Sequence, residues 1–149
     1  MNLEALKSTA AAMVGNGKGI LAADESTPTI GKRFDTINTE STAESRRRYR
    51  EMLFTAEGAN KYIGGVILFD ETLRQSTSDG VPFPKYLQDL GIVSGIKVDS
   101  GAKSLAAFQG ETVTEGLDGL RERLIEYYSL GARFAKWRAV INVNDSLPS

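Results

Sequence analysis

Charged residues stand at the ends of several short apolar runs, and their placement is the first chemical signal in the chain. Asp24 closes the run Gly19-Ile20-Leu21-Ala22-Ala23, Lys97 lies within Ile92–Asp99 (IVSGIKVD), and Lys136 and Arg138 lie within Phe134–Val140 (FAKWRAV). Side chains alternate along a strand. Asp24 therefore shares a face with Ala22 and Ile20, Lys97 with Gly95 and Asp99, and Lys136 with Phe134 and Arg138. If these faces point the same way, Asp24, Lys97, Lys136 and Arg138 converge near one end of the strands. Two lysines and an arginine in one half-buried cup attract phosphate or carboxylate groups. Their mutual repulsion and desolvation depress an ammonium pKa, which suits acid/base work or attack on carbonyls. Asp24 offsets part of that charge and can orient a lysine or accept a hydroxyl proton. A single lysine in an apolar strand can equally be an edge residue whose head reaches water. The coincidence at several strand ends favours a site.

What the chain lacks narrows the chemistry. It has no histidine and no cysteine, which removes the Ser-His-Asp triad, the His-ligated zinc site, disulfides and thiolate nucleophiles. No spacing of metal ligands is visible, so neither a metal nor another cofactor is expected. A net charge of −1 gives no bulk reason to expect nucleic acid or acidic lipid. No apolar run approaches the roughly 18 residues of a membrane span, and the N-terminus reads as an amphipathic helix rather than a leader. A cytoplasmic location is expected.

The elements that must hold these residues follow from periodicity. Helices are expected over 2–14, with Leu3, Leu6, Ala10 and Met13 on one face, and over 42–56. In the second, Ser41 and Glu44 have capping-box spacing, and Tyr49, Met52, Leu53 and Ala56 form the inward stripe. Two more are expected at 84–90 and from Leu117 through Tyr128 to a stop at Gly131. Strands are expected at 19–24, 63–69, 92–99 and 134–140, with 24–33 and 101–114 as loops. Strands alternating with helices indicate right-handed βαβ units and an α/β fold. At 149 residues the chain has the length of one domain and holds about half of an eight-stranded βα barrel of about 250 residues.

Other features carry less. Gly15, Gly17 and Gly19 do not make GxGxxG, and no Ser or Thr follows Gly17-Lys18 to make a P-loop. Ser26, Thr27 and Thr29 can donate to a phosphate or simply finish a turn at Pro28. The run Arg46-Arg47-Arg48-Tyr49-Arg50 sits beside Glu44 and Glu51. It reads as a solvated helix face from which one arginine can turn inward, ahead of an RNA-binding patch.

With those residues in place, the chain resembles the class I fructose-1,6-bisphosphate aldolases. The matching pieces are GKGILAADES (17–26), IGGVILF (63–69), GIKVD (95–99), GETVTEGLDGL (110–120) and FAKWR (134–138), in the family's order. The resemblance implies a (βα)8 TIM barrel, of which this chain supplies about the first four strands. It also implies metal-independent cleavage of fructose 1,6-bisphosphate to dihydroxyacetone phosphate and glyceraldehyde 3-phosphate through a lysine imine. By the same resemblance Asp24 and Lys136 are catalytic, and Lys97 and Arg138 are substrate-binding. So are Ser26, Thr29 and Arg33 on a substrate loop, and Arg46. Thr29 stands where many members have Ser, after Pro28 rather than Gly, which keeps the hydroxyl on a stiffer loop.

The family's imine-forming lysine and its glutamate acid/base lie on later strands. Residues 1–149 are therefore expected to be the N-terminal half of one barrel domain, inactive alone and tetrameric at full length. The alternative is a half-barrel that binds phosphosugars or pairs its open edges with a second copy.

Overall fold

A computed structural model describes residues 2–149. In chain order the elements are α1 (Leu3–Val14), β1 (Gly19–Ala23), α2 (Thr27–Asp35), α3 (Ala43–Phe54), the short α4 (Ala59–Tyr62), β2 (Ile63–Leu68), α5 (Asp70–Leu73), α6 (Phe83–Asp89), β3 (Val93–Lys97), β4 (Gly101–Ser104), β5 (Thr112–Glu115), α7 (Leu120–Ser129) and β6 (Phe134–Lys136).

The strands β1, β2, β3 and β6 form one parallel sheet in that order, and β4 and β5 form a separate antiparallel hairpin. Parallel neighbours need a crossover, and helices supply each one. Register sets two faces. Leu21 lies opposite Val66, Ala23 opposite Leu68, and Leu68 opposite Ile96. These residues meet Phe54, Leu73, Phe83, Leu87 and Tyr127 from the helices in one buried core. Phe54 and Phe83 pack edge to face, ring centroids 5.2 Å apart. The other face carries Ala22, Ile67, Gly95, Lys97, Phe134 and Lys136. Gly95 is small because the Phe134 ring lies across it: a Cβ there would come within 2.3 Å of the ring. Gly64 plays the same part for α1, whose Met13 carbonyl oxygen would sit 2.3 Å from an added Cβ.

Several expectations shift. The segment after Asp24 is helical from Thr27 rather than loop, because Pro28 in the first turn of α2 favours a helix start. The segment 101–114 contains the β4–β5 hairpin. The cap of α3 is Thr42 with Ser45 in reciprocal bonds, not Ser41 with Glu44. Of its expected inward stripe, Leu53 packs on the core and Tyr49 meets Phe34, while Met52 and Ala56 are exposed; the fully buried residues are Arg50 and Phe54. The charged run hid the inward face, because an arginine occupies one of its positions. β6 stops at Lys136, four residues early, and α1 buries none of its residues, Leu3 and Leu6 being exposed.

Candidate active site

The residues at the C-terminal ends of the parallel strands line a cleft of about 450 Å³. Asp24, Glu25, Ser26 and Thr29 come from the β1 end and α2, Phe69 from just beyond β2, Lys97 from the end of β3 and Asp99 from just after it, and Lys136 from the end of β6 and Arg138 from just after it. Strand ends of a parallel sheet are free of ladder partners on the helix-entry side, which is why sites form there.

The contact that defines the cleft joins the two edges of the sheet. Lys136 Nζ donates to Asp24 Oδ2 at 2.6 Å, across 112 positions of sequence. β1 and β6 are separated by two strands, a gap of roughly 14 Å on a flat sheet. Side chains stand about perpendicular to a sheet. The two therefore meet only because the sheet curls toward this face, as the strands of a barrel do. A second pair sits beside it: Lys97 Nζ donates to the Asp99 main-chain oxygen at 2.6 Å and to Asp99 Oδ1 at 2.8 Å. Each ammonium is thus matched by its own carboxylate, where the sequence suggested two lysines left to repel one another. Lys97 and Lys136 are also register partners on neighbouring strands, so the two charges stand at one level.

Asp99 was not singled out from sequence, yet its side chain is only 3% exposed and its Oδ2 has no partner. Burial pushes its carboxyl pKa up, but Lys97, the Gly101 amide and the charge of Lys136 outweigh that and hold it below the ordinary range. Glu25 was missed as well. It is the hub between Arg33 and Arg50. Ser26 Oγ and Thr29 Oγ1 lie 3.0 Å apart at the start of α2, two hydroxyls at the rim.

Two of the expected site residues lie outside this lining. Arg33 is half exposed and pairs with Glu25, also reaching the Tyr49 hydroxyl at 3.4 Å. The negative charge of Glu25 raises its pKa. Arg46 makes a forked pair with Glu71, at 2.7 and 2.8 Å, and donates to Ser41, which ties α3 to α5. Its neighbours are also matched: Arg47 bonds Glu44 and Glu51, and Arg50 is buried against Glu25. A run whose cations are mostly neutralised offers little to a nucleic-acid backbone.

Among the described residues no three of His, Cys, Asp and Glu are grouped to hold a metal ion, and no helix is long and apolar enough to cross a membrane. Hydroxyls, two Lys–Asp pairs and an arginine thus line one cleft, with Asp24, Glu25 and Asp99 set against Lys97, Lys136 and Arg138.

Comparison with known proteins agrees with this geometry. The family model for fructose-bisphosphate aldolase class-I matches residues 5–149. The Xanthomonas campestris pv. campestris protein named "Probable fructose-bisphosphate aldolase class 1" is 63% identical over the whole of this chain, which covers 45% of it. The cytoplasmic isozyme of fructose-bisphosphate aldolase from Spinacia oleracea is 58% identical over 89% of this chain and 37% of its own length. The aldolase of Plasmodium falciparum, solved as a ternary co-crystal with TRAP and a small-molecule inhibitor, superposes with a TM-score of 0.92. It is 52% identical, over 96% of this chain and 41% of that one. The parallel α/β fold is thus that of the TIM-barrel class. The chain belongs to the class I fructose-bisphosphate aldolase family, and its curled sheet is the first four strands of that family's TIM barrel. It spans about half the length of the curated relatives it matches.

Proposed function

We propose that residues 1–149 form the front half of a single barrel domain that cleaves fructose 1,6-bisphosphate reversibly to dihydroxyacetone phosphate and glyceraldehyde 3-phosphate. The observation that carries this reading is the Asp24–Lys136 pair at 2.6 Å inside a cleft also lined by Lys97, Arg138, Ser26 and Thr29. In it Asp24 and Lys136 handle protons at the reacting carbons. Lys97, Arg138 and the two hydroxyls receive a phosphate, and Arg33 and Arg46 shape the surrounding loops.

Both lysines of the cleft are engaged by carboxylates. That supports an imine formed by a lysine outside residues 1–149, with the isolated chain inactive. The chemistry on this reading needs no metal and no other cofactor, the protein works in the cytoplasm, and its natural form is a tetramer. The test is aldol cleavage by the purified protein at its natural length, with and without a chelator. Activity that survives chelation supports the reading. Activity abolished by chelation, or cleavage by residues 1–149 alone, contradicts it.

A further inference from the structure

We propose that Arg50, which does not line the cleft, is the positioning residue that sets the Asp24 carboxylate against Lys136. The inference rests on the aldolase reading for its kinetic consequence but not for its geometry.

Arg50 comes from α3 on the packed side of the sheet and is 2% exposed. Its Nε donates to the Ala23 carbonyl at 2.7 Å, and its Nη2 donates to the Glu25 carbonyl at 3.0 Å. Those two carbonyls belong to the residues on either side of Asp24. One guanidinium therefore holds the main chain immediately before and immediately after the carboxylate-bearing residue.

Charge balance alone does not account for this arrangement. Nη2 also lies 3.0 Å from Glu25 Oε2, but Glu25 already has a second cation in Arg33. The Nε bond goes to a neutral carbonyl on Ala23, which is itself fully buried. Burial pulls the arginine's pKa down and Glu25 pulls it back up, and an arginine stays charged in either case. A buried cation is costly, and an apolar residue of similar size commonly serves stability as well or better. What an apolar residue cannot do is hold two carbonyls at a fixed separation. A planar fork of donors can, reaching each carbonyl from a different nitrogen, whereas a lysine must reach both from the single point of its one nitrogen.

The consequence is angular. β1 ends at Ala23 and α2 begins at Thr27, so Asp24 sits in a short turn outside both ladders. Without the fork, that turn is free to rotate, and the contact with Lys136 across the sheet depends on its setting.

The test uses the protein at its natural length, the variants Arg50→Lys and Arg50→Met, steady-state cleavage of fructose 1,6-bisphosphate, and a crystal structure of each variant. Arg50→Lys keeps the buried charge opposite Glu25 and removes the fork. The expected result is a kcat lower by on the order of 100-fold, a KM changed by less than about twofold, and Asp24 moved out of hydrogen-bond reach of Lys136. A folded variant with wild-type kcat overturns the proposal. So does one with Asp24 still seated on Lys136, or a loss of kcat that only follows the fraction of folded protein. Should Arg50→Met fail to fold, Arg50→Lys decides. If the wild-type protein does not cleave the bisphosphate, the aldolase reading falls, and the position of Asp24 in the variant structures still decides the role of Arg50.

Discussion

The two faces of one parallel sheet do different work. On the packed face Ala23, Val66, Leu68 and Ile96 are essentially inaccessible and meet helix residues such as Phe83 and Leu87, also fully buried. On the other face, residues one position along the same strands end in Asp24, Lys97 and Lys136, and Ile20 on that face is 43% exposed. Alternation of side chains lets short strands serve both purposes. Stability therefore resides on one face and chemistry on the other. The two are linked where Arg50 crosses from the packed side to hold the turn around Asp24.

Four changes sharpen or break that contrast. Asp24→Asn keeps the shape of the open face and removes its charge. On the proposed function it lowers kcat about 10²- to 10⁴-fold, with the unfolding midpoint near wild type. A comparable loss of stability and activity would erase the distinction. Phe83→Ala on the packed face empties a site between Phe54 and the sheet, and its expected cost is about 3–5 kcal/mol in denaturant unfolding.

Acid probes Asp99, which belongs to both faces by being buried and ion-paired. Its pKa is depressed in the folded state, so its contribution is present above the ordinary carboxylate pKa and is lost as pH falls through the lower folded value. Asp99→Asn therefore flattens the acid limb of the stability curve, which urea titrations at stepped pH will show. The smallest effect is expected from Met52→Lys. Met52 is 59% exposed, so the change stays within about 0.5 kcal/mol. A larger loss would mean that α3 turns the face first inferred from its sequence toward the core.

Much of the molecule was legible in the sequence, and the failures have physical causes. The four parallel strands were visible as apolar runs, and Asp24, Lys97, Lys136 and Arg138 do come to one cleft. The ends were harder. β6 pairs only as far as Lys136, although the apolar pattern continues to Val140, because a ladder needs a neighbour and periodicity does not show where that neighbour stops. The inward face of α3 was only half read: Tyr49 and Leu53 do pack inward, but Arg50, a charged residue, fills a core position. It is tolerated there because the Ala23 and Glu25 carbonyls accept from it and the Glu25 carboxylate lies 3.0 Å away. Glu25 escaped notice because its partners Arg33 and Arg50 are close in space and not in sequence. Asp99 was seen to share a face with Lys97, but that spacing alone does not show that the two side chains pair.

The measurement that bears most directly on the account is borohydride trapping. The protein at its natural length is incubated with dihydroxyacetone phosphate, reduced, and mapped by peptide mass. The account predicts one adduct, on a lysine outside residues 1–149, and a sharply lower rate of trapping-competent turnover in Asp24→Asn. An adduct on Lys97 or Lys136, or none on any lysine, would contradict it.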